Sequence, residues 1–417
     1  MRVLLTTFGS YGDLYPYIAI GRELRQLGHD VSLGTSPAYR EKIERHGLGF
    51  LPVRPDVALE DTEMMRDFFD QYRGTERVVK SICSVLRESY EDTLAAAREF
   101  DAIVTHPITF AAVLVAQKLK MRWISSVLAP GSFLSSCDPP LPAPMPWLVK
   151  VRLLGPGAMR AVWNATRLMI ARWLRPVADL RREIGLPPGG NPLFEGANSP
   201  DLVLALFSPV FAKPQCDWPE HTVATGFPFL DANGGGLAPE LESFFHSGPP
   251  PVVFTLGSSA VAAAGDFYTS SLEAAQRAGA RALFLTGPHP QGLPETLPEG
   301  AFAWPYAPHE QVFPRASVIV HQGGIGTTAQ ALRSGIPSLI VPFAHDQFDN
   351  AERTRRLGAA VTIPRRNYTG RRAENALRLL LSQPRYRESA AAVGELIRAE
   401  EGAAAAARAI ERYLRSG

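Results

Sequence analysis

Short apolar runs, each followed by turn residues and then by apolar positions at helical spacing, repeat along the first half of the chain. Strands are predicted at 3–6, 30–34, 102–105, 123–126 and 202–206, and helices at 17–27 and 37–46. The run at 202–206 is expected to close the sheet. Buried strands that alternate with helices pack as a parallel sheet covered on both faces, so this half predicts a doubly wound α/β domain.

The alternation restarts after a loop-rich stretch that contains Asn233-Gly234-Gly235-Gly236. Further strands are predicted at 252–256, 282–285, 301–304, 318–320 and 338–341. Ligands of such sheets bind beyond the carboxyl ends of the strands, so two halves joined by a linker are expected to offer loops to a cleft. The predicted boundaries are 1–215 for the first domain, 216–240 for the linker, 241–395 for the second domain and 396–417 for a C-terminal helix.

The alternation breaks in an insert at about 139–188. Between 150 and 182, eight basic residues stand against Asp179 alone, a local charge of +7. Apolar residues lie beside them at roughly helical spacing: Trp163, Leu168, Met169, Ile170, Trp173 and Leu174. Two interpretations follow: an amphipathic helix packed on its own domain, or a surface at 147–182 that binds an acceptor or touches a membrane peripherally.

Composition narrows the class of protein. The chain has 417 residues, 46% of them hydrophobic, which favours two or three packed domains. Its formal net charge of +2 does not suggest nucleic acid as a partner. Cys83, Cys137 and Cys216 lie far apart in the sequence and are odd in number, which argues against a disulfide framework and suits a reducing cytosol. No apolar run is long enough to span a bilayer, so a cytoplasmic protein is expected.

A glycine-rich turn gives the first indication of chemistry. The apolar run at 317–320 ends in His321-Gln322-Gly323-Gly324-Ile325-Gly326-Thr327, and a helical pattern follows. Glycines let the backbone approach an anion, and the unpaired amides of a helix start point toward it, so this turn predicts a phosphate site. The next strand leads to Asp346 and Gln347, which either hold sugar hydroxyls or cap a helix. Phosphate together with sugar suggests a nucleotide sugar.

A second loop carries a carboxylate. Gly9-Ser10-Tyr11-Gly12-Asp13-Leu14-Tyr15-Pro16 follows the first strand directly, with Asp13 at the start of the predicted helix. Asp13 is suited to capping that helix, and it is also placed to act as a general base at the carboxyl edge of the sheet. The two roles are compatible.

Five motifs in order resemble the family-1 type glycosyltransferases of the GT-B fold, most closely the bacterial branch of antibiotic, rhamnolipid and sterol glycosyltransferases. They are the G-x-x-G-D-x-x-P loop at 9–16, Gly257-Ser258, Tyr306-Ala307-Pro308-His309-Glu310, the turn at 321–328 and Asp346-Gln347. Together they span nearly the whole chain. The resemblance implies two Rossmann-like, doubly wound domains facing across a cleft, with the C-terminal helix packed back on the first domain.

The same resemblance implies an activity. The expected reaction is an inverting transfer of one sugar from a UDP- or dTDP-sugar to a hydroxyl of a lipophilic polyphenol, polyketide, sterol or hydroxy-fatty acid. The apolar surface for this acceptor is expected around Pro146-Trp147-Leu148, Trp163 and Trp173. Apart from the nucleotide sugar no cofactor is expected. The chain contains no Asp-x-Asp triplet, so no metal is expected, and a helix dipole would stabilise the leaving diphosphate.

Residue roles are carried over by position. Asp13 matches the base. His106 stands roughly where plant relatives place the acid that orients a catalytic histidine, which suggests a reversed dyad in which His106 hydrogen-bonds Asp13 or takes the proton itself; the alternative is that His106 only lines the cleft. Donor binding is assigned to the following residues: Gly12, Gly257, Ser258, Tyr306, Ala307, His309, His321, Gln322, Gly323, Gly324, Gly326, Thr327, Gln330, Asp346 and Gln347. Within this set, the resemblance implies that Tyr306 stacks on the base, that the Ala307 backbone reads its edge, and that Ser258 reaches a phosphate.

Two positions depart from the family pattern. Relatives commonly place histidine just before the glycine turn, whereas this chain has Gln322 there and His321 one residue earlier. Successive strand side chains point to opposite faces, so at most one of the two is expected to reach the phosphate. The backbone amides of Gly323, Gly324, Gly326 and Thr327 are expected to contribute more than either side chain. Gln330 stands where many relatives carry a glutamate that binds the ribose.

Two other functions stay open at this stage. A nucleotide-sugar epimerase can share this fold, although it would not need the apolar insert as an acceptor pocket. A non-catalytic nucleotide-sugar-binding subunit, delivering donor to a membrane partner, is compatible with the basic insert.

Overall fold

The computed structural model describes residues 1–56, 62–145, 147–231, 235–288 and 292–416. The chain forms two compact units. One comprises residues 1–61, 73–230 and 400–417, and the other comprises 62–72 and 231–399.

The first unit is built on a seven-stranded parallel sheet in the order β3-β2-β1-β4-β5-β6-β7. Its strands are β1 (Arg2–Thr6), β2 (Asp30–Thr35), β3 (Gly49–Pro52), β4 (Ala102–Thr105), β5 (Arg122–Val127), β6 (Val203–Ala205) and β7 (Thr222–Ala224). Since every strand runs the same way, all carboxyl ends meet at one edge of the sheet.

The helices of this unit are α1 (Tyr11–Gln26), α2 (Arg40–Arg45), α4 (Gly74–Ser84), α5 (Leu86–Ala97), α6 (Phe110–Leu119), α7 (Leu148–Val151), α8 (Pro156–Ile170), α9 (Arg175–Glu183) and α17 (Gly402–Arg415). Leu4 and Ile103 are fully buried among residues of α4, α5, α6 and α8. Leu5 lies beside Gly21 of α1. Alternate side chains of the strands therefore pack against helices on opposite faces of the sheet, as the continuous apolar runs predict.

Helix α17 belongs to the first unit although it ends the chain. It packs along α1 and buries Ala406, Ala407, Ile410 and Leu414. Tyr413 donates a hydrogen bond to Asp201 at 2.9 Å. The last helix thus completes the cover of the first sheet.

The second unit holds a six-stranded parallel sheet in the order β10-β9-β8-β11-β12-β13. The strands are β8 (Val252–Thr255), β9 (Ala282–Leu285), β10 (Ala301–Trp304), β11 (Val318–His321), β12 (Ser338–Ile340) and β13 (Ala360–Thr362). The helices are α3 (Thr62–Phe68), α10 (Pro239–His246), α11 (Phe267–Ala278), α12 (His309–Val312), α13 (Ile325–Ser334), α14 (Gln347–Arg356), α15 (Gly370–Ser382) and α16 (Pro384–Arg398).

Strand β8 shows how this sheet is covered. Val252 and Phe254 are buried in one core with residues of α11 and α15. Val253, which points to the opposite face, is buried in a second core with residues of α10, α12 and α13. The predicted fold class, two Rossmann-like doubly wound α/β domains, is confirmed.

Several element predictions differ from the structure. Strands β3, β7 and β13 were not predicted, and 202–206 does not close the first sheet because β7 pairs beside β6. The predicted linker at 216–240 therefore contains a strand of the first sheet, while its residues 232–234 lie outside the described ranges. The segment 62–72, assigned by sequence to the first domain, lies in the second unit, where Phe69 joins the core. Within the described ranges, no helix is both long and apolar enough to cross a lipid bilayer.

Candidate active site

The turn after β1 holds Asp13 in a fixed orientation. Gly9 has a φ of +132°, and a Cβ there would lie 2.3 Å from Asp13 Oδ2, so this position requires glycine. Ser10 caps α1, and Asp13 Oδ2 accepts hydrogen bonds from the Ser10 amide at 2.7 Å and the Ser10 hydroxyl at 3.0 Å. The capping role of Asp13 is therefore present, and it occupies one carboxylate oxygen only.

The other oxygen of Asp13 lies near His106, which directly follows β4. His106 Nε2 is 3.5 Å from Asp13 Oδ1, and the two side chains are 7% and 29% exposed. His106 Nδ1 accepts a hydrogen bond from the Ile108 amide at 3.3 Å. Because that nitrogen is an acceptor, the neutral ring carries its proton on Nε2 and presents it to the carboxylate.

The His106 backbone is held by Thr109. Its amide donates to Thr109 Oγ1 at 3.1 Å, and the Thr109 hydroxyl donates to the His106 carbonyl at 2.9 Å. Beneath this turn Tyr17 is fully buried, and its hydroxyl contacts Ser126 Oγ at 2.6 Å. Rigid supports of this kind keep a side chain near one working geometry.

Gly12, predicted as a donor-binding residue, lies in the first turn of α1. Its amide donates to Ser10 Oγ at 3.2 Å. That amide is consequently part of the helix cap that positions Asp13, and the structure gives it this local role.

The glycine turn after β11 lies in the second unit and leads into α13. Gly324 caps this helix with extended backbone angles. The amide of Gly323 already donates to His321 Nδ1 at 3.1 Å. The first amides of α13 have no earlier carbonyl of the helix to bond. The amides that this turn could offer to an anion therefore begin at Gly324 and continue through Gly326 and Thr327, whereas the Gly323 amide, predicted as a donor to phosphate, bonds His321 instead.

The two candidate side chains before the glycines have different surroundings. Gln322 lies in the turn, where its Nε2 donates to Thr327 Oγ1 at 3.4 Å and lies 2.5 Å from the position that a Cβ on Gly257 would take. His321 is fully buried. Burial, assisted by the charge that His309 could carry, lowers the pKa of His321 to about 3. His321 is therefore a neutral support of the turn.

Several buried polar atoms in this turn, in α13 and in α14 have no hydrogen-bond partner among the residues that the structure describes. They are His321 Nε2, Gln322 Oε1, Thr328 Oγ1, Gln330 Oε1 and Asn350 Oδ1. Buried polar groups are normally paired. Such a concentration of unpaired atoms is typical of a site that completes its hydrogen bonds with a ligand.

Asp346 and Gln347 stand at the start of α14, after β12. Gln347 Oε1 accepts from the amides of Phe343 at 2.8 Å and Ala344 at 3.1 Å, so only its NH2 group can serve a ligand. The Asp346 carboxylate makes no capping bond to α14 and accepts from Asn350 Nδ2 at 2.6 Å. The same Asn350 group donates to the Gly323 carbonyl at 2.9 Å. Asn350 thus connects the phosphate turn to the proposed sugar-binding residue.

The remaining predicted donor residues fall into two groups. Tyr306 exposes 60% of its surface, and Ala307 is buried beneath it, an arrangement suited to stacking a flat ring. Ser258 and Gly257 form the turn after β8, beside Gln322. His309 stacks on Phe313 with centroids 4.3 Å apart, and burial lowers its pKa to about 4. His309 acts here as a packing residue.

Part of the insert packs on its own domain, as one interpretation of its sequence predicted, and part of it is exposed, as the other predicted. Trp163, Ile170 and Leu174 are buried in the core of the first unit, and Trp163 Nε1 donates to the Ser135 carbonyl at 3.2 Å. Leu168 and Met169 are 80% and 56% exposed. The expectation that Trp163 and Leu148 form an open acceptor surface is therefore wrong, because both are buried. Pro146 lies outside the described residues. Trp147 is 52% exposed, whereas Trp173 is half-buried.

Comparisons with known proteins agree with this geometry. A family model described as the glycosyltransferase family 28 N-terminal domain matches residues 3–120. A second, described as the erythromycin biosynthesis protein CIII-like C-terminal domain, matches residues 289–411. The O-mycaminosyltylonolide 6-deoxyallosyltransferase of Streptomyces fradiae is 32% identical over 99% of this chain and 97% of its own length. The chain belongs to the family-1 glycosyltransferases of the GT-B fold.

Other relatives of this glycosyltransferase differ in length or show the fold alone. The sterol 3-beta-glucosyltransferase of Yarrowia lipolytica is 28% identical over 99% of this chain, which spans 29% of that longer protein. The glycosyltransferase of kitacinnamycin has a TM-score of 0.74 at 20% identity, covering 99% of this chain and 98% of its own. VinC in complex with dTDP has a TM-score of 0.71 at 22% identity, covering all of both chains.

Sequence reasoning missed two residues of the second unit that lie beside the candidate donor-binding residues. Asn350 lies three residues beyond Gln347, and its spacing from the end of β12 gave a usable signal. Phe69 comes from a distant part of the chain, and its ring lies edge-on to His345 with centroids 5.4 Å apart, beside Asp346. No local pattern around Phe69 indicates this contact.

The buried His321 gives a prediction for stability. Asparagine at this position keeps an acceptor for the Gly323 amide but does not titrate. Because burial lowers the pKa of His321 in the folded protein, this side chain binds a proton only in the unfolded wild-type chain as pH falls below about 6.5. The free energy of unfolding of the wild type should therefore fall as the pH is lowered, with His321 contributing up to about 1.4 kcal/mol per pH unit. In His321→Asn this contribution should be absent, so the fall should be shallower. Urea unfolding between about pH 7 and pH 5 measures this slope. The exposed His246→Asn is the matched control, and equal slopes for wild type and His321→Asn would contradict the prediction.

Proposed function

We propose that this glycosyltransferase is an inverting, metal-independent hexosyltransferase that moves a sugar from a UDP- or dTDP-sugar to a hydroxyl of a lipophilic small molecule. The acceptor class is supported by the names of its relatives, which include an O-mycaminosyltylonolide 6-deoxyallosyltransferase and sterol 3-beta-glucosyltransferases. The donor class is supported by the dTDP complex of VinC. The phosphate turn and Asp346 support a donor of the same kind in this chain.

The observation that carries the proposal is the pair formed by Asp13 and His106. Asp13 Oδ2 is engaged by Ser10, whereas Oδ1 has His106 Nε2 at 3.5 Å. A carboxylate oxygen has two lone pairs, so Oδ1 can receive a hydroxyl proton while the imidazole remains beside it. Because His106 Nδ1 accepts from the Ile108 amide, Nε2 is the nitrogen that faces Asp13 as a donor, and we assign the role of base to the carboxylate. Asp13 is therefore assigned as the general base and His106 as a positioning residue.

The proposed chemical step follows from these groups. The acceptor hydroxyl loses its proton to Asp13 as its oxygen attacks the anomeric carbon, and the bond from that carbon to the diphosphate breaks on the opposite side. Attack opposite the leaving group inverts the configuration. The amides that begin at Gly324, with the positive end of the α13 dipole, stabilise the charge on the departing diphosphate. Asp346 and the Gln347 NH2 group hold sugar hydroxyls.

A donor and acceptor panel tests the proposal directly. Purified protein is incubated with UDP- and dTDP-hexoses and a mixture of lipophilic alcohols, and products are read as an added hexose mass. Product is expected only when donor and acceptor are both present, with unchanged yield in a chelator. Donor consumption without an acceptor would indicate hydrolysis or epimerisation, and donor binding without consumption would indicate a carrier subunit. Loss of activity in chelator with recovery in magnesium would overturn metal independence.

Substitutions at two positions separate the base from its positioning residue. Asp13→Asn keeps an acceptor oxygen for the Ser10 cap and should lower kcat by about 10²–10⁴-fold with little change in donor affinity. His106→Ala should lower kcat about tenfold, and His106→Gln, whose amide can still donate to Asp13, should recover part of the loss. Initial rates and donor binding by calorimetry measure both effects. Full turnover by His106→Ala beside an inactive Asp13→Asn would remove His106 from the mechanism.

We also propose that the insert makes peripheral contact with anionic membranes. Leu153, Leu154 and Leu168 are 86%, 75% and 80% exposed. Lys150, Arg160, Arg172 and Arg175 are exposed within the same stretch of chain. Exposed apolar side chains among cations suit the boundary between anionic headgroups and acyl chains. This contact would bring the enzyme to acceptors that partition into lipid.

Vesicle binding tests the contact. The protein should cosediment with vesicles containing phosphatidylglycerol, less so at high salt, and weakly with pure phosphatidylcholine. Leu153→Ser combined with Leu154→Ser should reduce binding by roughly tenfold because both leucines are exposed and their burial in lipid is favourable. Leu396→Ser, at a 56% exposed leucine of the second unit, is the matched control. Equal binding by the double variant and wild type would contradict the proposal.

A further inference from the structure

Two of the three cysteines lie together in the first unit although they are 79 positions apart in the sequence. Cys137 Sγ is 3.0 Å from Cys216 Sγ, and both are free thiols. Distance along the sequence, on which the expectation of no disulfide framework rested, does not separate these two thiols in space, whereas Cys83 is buried in the core. Cys137 follows β5 and Cys216 follows β6, so both lie in loops that leave the carboxyl edge of the sheet.

The Asp217 side chain links these two loops through hydrogen bonds. Its Oδ1 accepts from the Ser135 hydroxyl at 2.7 Å, and its Oδ2 accepts from the Ser136 amide at 2.6 Å. The Ser135 hydroxyl oxygen in turn accepts from the Cys137 amide at 3.1 Å. The position of the Cys137 backbone is thereby fixed by the residue next to Cys216.

Aromatic packing reinforces the same junction. The ring of Trp218 lies 4.5 Å from that of Phe133 and 5.7 Å from that of Phe207, between centroids. Helix α8 of the insert joins through Trp163, whose Nε1 donates to the Ser135 carbonyl. The loop after β5, the loop after β6 and the insert therefore meet beside the two sulfurs.

We propose that Cys137 and Cys216 form a reversible disulfide when the thiol–disulfide balance becomes oxidising, and that this bond braces the loop after β5 against the loop after β6. Contacts that already hold two reacting groups together make their reaction effectively intramolecular and favourable. A disulfide also restricts the unfolded chain, more strongly when the enclosed loop is long. Here the loop spans 79 positions.

The oxidant is a small disulfide such as oxidised glutathione. The hydrogen bond to Cys216 and burial raise the pKa of the Cys137 thiol to about 11, so the exposed Cys216 reacts first. The Cys216 thiolate attacks one glutathione sulfur, which forms a mixed disulfide and releases one glutathione thiolate. Cys137 then loses its proton and attacks Cys216 Sγ, which releases the second glutathione. Two protein thiols are oxidised to one disulfide, and one glutathione disulfide is reduced to two thiols.

Thiol counting under defined glutathione mixtures tests the proposal. In denaturant the reduced protein should show all three thiols, and the oxidised protein should show one, with a mass lower by about 2 Da. Oxidation should raise Tm by roughly 5–10 °C, reversibly in dithiothreitol. Cys137→Ser and Cys216→Ser should abolish both changes, and Cys83→Ala is the control that should retain them. Peptide mapping without reductant identifies the cross-link in wild type even if Cys83→Ala folds poorly.

Three outcomes would overturn the proposal. The first is three titratable thiols at every glutathione ratio, and the second is a cross-link that excludes Cys137 or Cys216. The third is stoichiometric zinc in the purified protein, released by a thiol-blocking reagent, because Cys137, Cys216 and Asp217 bring ligand atoms within 4.8 Å of one another. The assay uses neither donor nor acceptor, so its result is independent of the glycosyltransferase reaction.

Discussion

Parallel strand register is the constraint on which the candidate residues of each unit depend. Leu5 of β1 pairs with Val104 of β4, so the two strands end at the same level and bring Asp13 and His106 to 3.5 Å. In the second unit Thr255 pairs with His321, which places the Gly257 turn against Gln322. A shift of two residues in either pairing would displace one loop by about 7 Å, more than either contact can tolerate.

The glycine turn of the second unit is surrounded by neutral side chains, so a diphosphate bound there, as proposed, would meet dipoles and no cationic side chain of the turn. The side chains closest to the glycine turn are the amides of Gln322 and Asn350 and the neutral ring of His321. Each unpaired buried polar atom costs about 1–3 kcal/mol. In the protein without ligand, these unpaired atoms lie close together around the glycine turn. A ligand that forms hydrogen bonds with them would recover part of this free energy on binding. Preorganised dipoles can stabilise a diphosphate without reorganising as it leaves.

Sequence indicates most of this architecture because strands buried on both faces read as continuous apolar runs, as in β8 and β11. The edge strand β7 was missed because it is three half-buried residues long. Motif spacing identified Asp13 and the glycine turn. It could not give the tautomer of His106, which depends on the Ile108 amide, nor the use of the Gly323 amide by His321. These details depend on backbone direction, which residue identity does not encode.

The path of the chain limits how this protein can be divided. The backbone passes between the two units four times, because 62–72 lies in the second unit and the residues from Glu400 onward return to the first. A single cut near Leu230 would remove Phe69 from the core it completes and α17 from the sheet it covers. The halves are therefore not modules that recombination can exchange at one crossover. A chimaera that takes residues 231–399 from another glycosyltransferase must therefore also take 62–72 from it, and it must keep its own residues from Glu400 onward to cover the first sheet.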